Sequence, residues 1–251
     1  MGNSQSQTFV QSSMQSKILI GVAGPTCSGK TLLSKFLEEK LGKRALVISQ
    51  DSFYIPGNEN TNFDDPKQIE WSLLTKTLRS LMKNKITEVP QYDFTTHDRK
   101  KETIKINPNE KDIIIVEGIL IYSCFELVDM INVKYFVNTK PDLCFKRRLI
   151  RDTKERGRTE EEVIKRYNDH VQPSNEKYVY PSKEKADCVI NNNEKINANT
   201  EIPALNEALD YLNANTEIPA LNEALDYLNE YLNSSAEEKK NGTEINHQTN
   251  Y

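Results

Sequence analysis

Cysteine is sparse and unpatterned in this sequence. Cys27, Cys124, Cys144 and Cys188 fall without CxxC or Cys/His spacing, which argues against a structural zinc site or a disulfide framework and predicts a reducing, cytoplasmic setting. There is no apolar run long enough to cross a bilayer or to serve as the core of a signal peptide. An excess of positive charge is missing as well: 33 Lys and Arg stand against 37 Asp and Glu, for a net charge of -4. A nucleic-acid-binding surface needs surplus cations to displace counterions, so a partner of that kind is not expected and any basic site must be local. The Asn-x-Ser/Thr matches at Asn233 and Asn241 would go unglycosylated in such a compartment.

What is present suits one large α/β domain with tails, since 251 residues and 28.9 kDa leave little room for two independent cores. Residues 1–16 are rich in Gln and Ser and nearly uncharged, a composition that predicts a flexible tail. The tail opens on Met1-Gly2-Asn3-Ser4-Gln5-Ser6, which fits the pattern for myristoylation of Gly2 and equally fits chance polar sequence at a start codon. No polybasic run follows, so an acylated chain would bind membranes only weakly.

From Lys17 the pattern alternates. Buried-strand runs at 17–24, 45–49, 112–116, 134–137 and 186–190 are separated by helical periodicity at 30–41, 70–82, 142–155 and 160–170. This predicts an α/β fold in which a parallel sheet carries helices on both faces. The stretch 87–106 breaks the alternation with two strand-like runs around a polar turn, and predicts a β-hairpin added to the main sheet as a place for a second substrate. Residues 197–212 (NANTEIPALNEALDYL) recur unchanged as 213–228, a tandem duplication rather than a solenoid, which would need three or more units. The domain is expected to span 17–232, with one copy closing it and the other surplus; 233–251 read as a polar tail.

Gly24-Pro25-Thr26-Cys27-Ser28-Gly29-Lys30-Thr31 matches G-x-x-x-x-G-K-[ST] between a strand and an amphipathic helix. In that context backbone N–H groups and the helix N-terminus bind nucleotide phosphates. Lys30 would reach the β and γ phosphates and the Thr31 hydroxyl would ligate magnesium. The strand 112–116 delivers Glu117 at its carboxyl end, where it is a candidate to position the metal. Asp51, at the end of the second strand, lies where a base for a substrate hydroxyl would stand, although taken alone it also reads as a loop cap. Lys146–Arg158 could supply cations, or its Arg148/Asp152 and Arg151/Glu155 spacings could be solvated pairs. Thr139-Lys140-Pro141-Asp142 fits the [NT]KxD guanine-binding pattern, but the chain has no D-x-x-G, which favours a phosphotransferase over a GTPase.

Taken in order, GVAGPTCSGKT, ISQDSFY, NFDDP, VPQYDFTTHDR, VEGIL, RRLIRDTKERGR and YPSKEKADCVI resemble the uridine kinase (uridine-cytidine kinase) family of P-loop kinases over residues 17–190. The resemblance implies ATP- and Mg2+-dependent phosphorylation of the 5′-hydroxyl of uridine or cytidine, a step of pyrimidine salvage, by a homotetramer. It implies that Asp51 is the general base, and that Tyr54, Asp64 and Arg148 hold the sugar. Phe63 and Phe94 would flank the pyrimidine, and Tyr92 and His97 would read its edge. Arg151, Arg156 and Arg158 would meet phosphates and close a lid. The sequence departs from the family at Arg166, where Gln is usual, in the short stretch after Tyr54, and at Asn191-Asn192-Asn193, which replace a Pro-Arg-Gly type of loop. Rival readings are a kinase of the same fold acting on ribosylnicotinamide, pantothenate or ribulose 5-phosphate, and a non-catalytic nucleotide-binding regulator.

Overall fold

The computed structural model of the protein describes residues 17–193 together with Tyr211. The expected tails at 1–16 and 233–251, Gly2, Asn233, Asn241 and the duplicated segments apart from Tyr211 lie outside the described residues.

Five strands form one parallel sheet in the order β2-β7-β1-β8-β9: β1 (Ile18–Ala23), β2 (Ala45–Ser49), β7 (Ile113–Gly118), β8 (Val133–Asn138) and β9 (Cys188–Asn191). The central strands are aliphatic at nearly every position because both of their faces are covered. Ile18, Ile20 and Val22 of β1, Ile113 and Ile115 of β7, and Val133, Tyr135 and Val137 of β8 face one core, under Leu33, Leu37 and Leu41 of helix α1 (Lys30–Leu41). The alternate residues Leu19, Ile114, Val116 and Phe136 face the other core. That core is closed by Leu74, Leu78 and Leu81 of α2 (Trp71–Met82), Leu127 of α3 (Phe125–Met130) and Val179.

Helix ends follow local chemistry. Helix α4 (Pro141–Glu155) begins with proline at its first position and ends before Gly157, whose φ of 65° reverses the chain. Helix α5 (Glu160–Arg166) starts with a reciprocal capping box between Thr159 and Glu162. Helical backbone then continues beyond the expected limit at His170, through wide π-type turns at Tyr167–Val171 and Asn175–Val179.

The 87–106 stretch differs from expectation. It forms two short antiparallel ladders, β3 (Thr87–Val89) with β6 (Ile104–Ile106) and β4 (Tyr92–Asp93) with β5 (Asp98–Arg99), and neither is hydrogen-bonded to the main sheet. Pro90 lacks the N–H that would carry one ladder into the next. The ladders are held against the sheet's carboxyl end by side chains instead. Arg99 donates to the carbonyls of Tyr54 (3.0 Å) and Phe53 (3.1 Å) and pairs with Glu70 at 2.5 Å.

Two crossings fix the carboxyl ends of β2 and β7 side by side. Gln50, fully buried, accepts a hydrogen bond from the Leu120 N–H at 2.8 Å, and a Cβ on Gly118 would stand 2.4 Å from its Cβ. Because that contact is with the root of a buried side chain, it cannot be relieved by a rotamer change. Gly118→Ala is therefore expected to cost about 1–3 kcal/mol, measured as a lowered midpoint in urea denaturation.

Candidate active site

The loop between β1 and α1 needs two glycines for steric reasons. At Gly24 (φ 147°) a side chain would meet the Val137 carbonyl at 2.4 Å, and at Gly29 (φ 106°) it would meet the Asn192 amide at 2.4 Å. The loop is held from below by the next two strand ends. The Thr139 hydroxyl lies 2.9 Å from the Ser28 carbonyl and the Asn192 side chain donates to the same carbonyl at 2.7 Å. Arg148 donates to the Thr26 hydroxyl at 3.1 Å, tying the loop to α4. The result is a preformed concave backbone opening onto a cavity of about 410 Å³.

Three titratable groups meet at the cavity floor. Lys30 is buried and donates to the Pro25 carbonyl at 2.8 Å. Glu117, at the end of β7, accepts from the Ser49 hydroxyl at 2.9 Å and lies 3.5 Å from the Thr31 hydroxyl. Asp51 stands on the turn after β2, its N–H bonded to Ser49 Oγ at 3.3 Å. Burial pushes the Asp51 carboxyl above its ordinary range, and the nearby charges of Lys30, Arg156 and Arg151 offset this only in part. Glu117 is raised by burial and then by Asp51, and burial lowers the Lys30 ammonium. Three titratable groups perturbed by burial in one cleft mark a candidate functional site.

Around the rim stand the arginines. Asp152, completely buried on α4, is within ion-pair distance of four of them: Arg151 at 2.8 Å, Arg158 at 3.0 Å, and Arg148 and Arg156 at 3.5 Å. Burial alone would raise the Asp152 carboxyl; the guanidiniums of Arg148, Arg151 and Arg156 outweigh it and hold the group below the usual carboxylate range. The helical spacing therefore does not make solvated pairs. Arg151 pairs with Asp152 rather than with Glu155, because the buried carboxylate collects every guanidinium within reach.

At the other end the cavity is aromatic. Tyr54, Phe63, Tyr92 and Phe94 form an edge-to-face cluster with centroid separations from 5.3 to 6.4 Å, and His97 stacks on Phe63 at 5.2 Å. His97 sits at φ 55° in the turn between β4 and β5. Burial and then Arg166 and Arg158 lower its pKa, so the ring is neutral at pH 7 and can both donate and accept. Tyr92 is pushed up to about 12, mainly by burial, and its buried hydroxyl has no partner among the described residues. Arg156 lies over the Phe94 ring at 4.5 Å and Arg166 over Phe63 at 6.0 Å.

A family model described as phosphoribulokinase / uridine kinase matches residues 19–198. The chain belongs to this family. It is 42% identical over 184 residues to a uridine kinase of Oceanobacillus iheyensis, covering 70% of this chain and 87% of the relative. It is 38% identical over 189 residues to uridine-cytidine kinase 2-B of Danio rerio, covering 68% and 72%. Among solved structures, D-glycerate 3-kinase from Cryptococcus neoformans (20% identity, TM-score 0.53, 75% and 91% covered) and phosphoribulokinase from Rhodobacter spheroides (13%, 0.53, 74% and 74%) share the fold.

Within this family member, the cavity gathers Thr26, Cys27, Gly29, Lys30, Thr31, Asp51, Tyr54, Phe63, Asp64, Tyr92, Phe94, His97, Glu117, Arg148, Arg151, Arg156 and Arg158. Gly24, Pro25 and Ser28, also in the phosphate loop, are buried and do not line the cavity. Sequence reasoning missed Asp152 as the hub of the arginines, Arg99 as the clamp on the Asp51 turn, and Asn192 as a prop of the phosphate loop. Thr139-Lys140-Pro141-Asp142 is put to another use: the Thr139 hydroxyl supports Ser28, and Asp142 is exposed away from the cavity.

Asp152→Asn should leave a buried arginine cluster without its anion and lower stability by about 3 kcal/mol at neutral pH, read by urea denaturation. The folded pKa of Asp152 is depressed, so its contribution is complete above the ordinary aspartate pKa of about 3.9 and is lost as pH falls through the lower folded value. The gap between wild type and variant should therefore close on acidification.

Proposed function

We propose that the protein transfers the γ-phosphoryl group of ATP to the 5′-hydroxyl of uridine or cytidine, giving the nucleoside monophosphate. The observation that carries this reading is the place of Asp51. It lies in one cavity between a phosphate cradle and an aromatic chamber, under the positive charges of Lys30, Arg156 and Arg151. Relatives named uridine kinase, about 40% identical over most of their length, support the choice of acceptor.

In this mechanism Asp51 accepts the proton as the O5′–H bond breaks, O5′ bonds to the γ-phosphorus, and the bond to the bridging β,γ-oxygen breaks to release ADP. Lys30, Arg151 and Arg156 neutralise charge on the transferring group, with the backbone of 24–31 holding the β-phosphate. Tyr54, Asp64 and Arg148 position the sugar. Phe63 and Phe94 flank the base, Tyr92 and His97 bond its polar edge, and Arg158 helps to close the rim.

The Thr31 hydroxyl and the Glu117 carboxylate, 3.5 Å apart, are hard oxygen donors that suit Mg2+. Among the described residues there is no cluster of three or more His, Cys, Asp or Glu that could hold a metal ion. When held by Thr31 and Glu117, Mg2+ would supply positive charge that offsets the charge of the transferring phosphates.

The reading extends to a cytoplasmic homo-oligomer whose kinase domain runs from 17 to 232. All four cysteines are free thiols, and among the described residues no helix is long and apolar enough to cross a membrane.

A coupled ADP-release assay over uridine, cytidine, ribosylnicotinamide, pantothenate and ribulose 5-phosphate tests the acceptor. Turnover with uridine or cytidine is expected, and turnover confined to any of the other three would overturn the assignment. Asp51→Asn should lower kcat by about 10²–10⁴ while ATP binding, followed calorimetrically, persists. Because burial raises the Asp51 pKa, the acid limb of kcat/KM should lie above the ordinary aspartate range, activity falling as pH drops through it.

A further inference from the structure

Arg166 puts an unpaired positive charge at the aromatic end of the cavity. It is the last residue of α5, lines the cavity with Phe63, Tyr92 and His97, and holds its half-buried guanidinium 6.0 Å from the centre of the Phe63 ring. Arg148, Arg151, Arg156 and Arg158 of the same cavity share Asp152. Arg166 instead donates to the Glu59 backbone carbonyl, and among the described residues no carboxylate lies within ion-pair distance of it. Burial and then Arg148 disfavour its charge, and Asp64, Asp152 and Glu59 offset them only in part.

That charge is felt where a ring would lie. At His97, burial aside, Arg166 is the largest influence, Arg158 adds to it, and Glu59 opposes them less. At Tyr92, where burial and Asp98 raise the phenol, Arg166 is the first group to oppose them. Arg156 stands over Phe94 at 4.5 Å, so each of the two aromatics proposed to flank the ring has a guanidinium over it. A guanidinium carries hydrogen-bond donors and no acceptor, so it suits a ring edge that offers carbonyl oxygens. A positively charged ring in the same place meets repulsion from an arginine whose charge no paired carboxylate cancels.

We propose that Arg166 is a specificity-determining residue, making the chamber select a neutral, carbonyl-bearing ring and reject a cationic one such as the pyridinium of ribosylnicotinamide. The inference rests on the nucleoside reading above and deepens it. Uridine and ribosylnicotinamide offer the same ribose and 5′-hydroxyl and differ in the charge of the ring. Asp51 and the phosphate loop meet only what the two share, whereas Arg166 meets the difference.

Calorimetric titration of the full chain with uridine and with ribosylnicotinamide reads this selection without requiring turnover. Wild type should bind uridine more tightly. Arg166→Gln, which keeps a donor and loses the charge, should move the affinity ratio toward ribosylnicotinamide by about tenfold. Arg166→Lys keeps the charge and should keep the wild-type ratio. An unchanged ratio in Arg166→Gln, the same shift in both variants, or no preference for uridine in the wild type overturns the proposal. The His97 ring, titrated by NMR in the unliganded chain, checks the cause: its pKa should rise in Arg166→Gln and not in Arg166→Lys, and the absence of a rise refutes it. Failure of the acceptor assignment shows separately, as no ADP release with uridine or cytidine from a wild type that still discriminates the two rings by binding.

Discussion

A pocket built to hold polyphosphate concentrates positive charge before any ligand arrives. Here Lys30, Arg147, Arg148, Arg151, Arg156, Arg158 and Arg166 line one cavity against Asp51, Asp64 and Glu117. Asp152 makes that density tolerable. It occupies the one position on α4 from which a carboxylate reaches guanidiniums four residues before it and four after it, as well as its neighbour. Gly157 then turns the chain through a left-handed conformation so that Arg158 folds back, its N–H meeting the Asp152 carbonyl at 3.2 Å and its side chain meeting the carboxylate. A lysine cluster could not be organised this way, because a single buried anion serves several planar, forked donors better than several point charges.

The same economy explains which features could be read from the sequence. Strands buried on both faces are written as continuous aliphatic runs, and the phosphate loop is written as glycines at fixed spacing. The parallel sheet and the residues at its carboxyl ends, Lys30, Asp51 and Glu117, were therefore legible. Contacts across long sequence separations were not. Asp152 looked like half of an ordinary i,i+4 pair because periodicity cannot report that the face is buried. Asn192 looked like a departure from a family loop, whereas its side chain occupies the space that Gly29 leaves open, 164 positions away from the Ser28 carbonyl it supports. The continuation of helical backbone through the π-type turns after Arg166 was equally hidden, since wide turns carry no composition of their own.

The 87–106 segment was legible as strands and misplaced in space, and the reason bears on how the site works. A hairpin joined to the main sheet would take its position from backbone ladders. These two ladders take it from Arg99, whose guanidinium binds the carbonyls of Phe53 and Tyr54 and the Glu70 carboxylate. Phe53 and Tyr54 belong to the turn that carries Asp51. The aromatic chamber, with Tyr92, Phe94 and His97, is therefore tied to the turn of the proposed base as well as packed on the main core, and the Gly57 N–H bond to the His97 carbonyl at 3.0 Å joins the same loop. On the proposed reading, the residues that would choose the acceptor and the carboxylate that would take its proton share an attachment, the Arg99 guanidinium on the carbonyls of Phe53 and Tyr54.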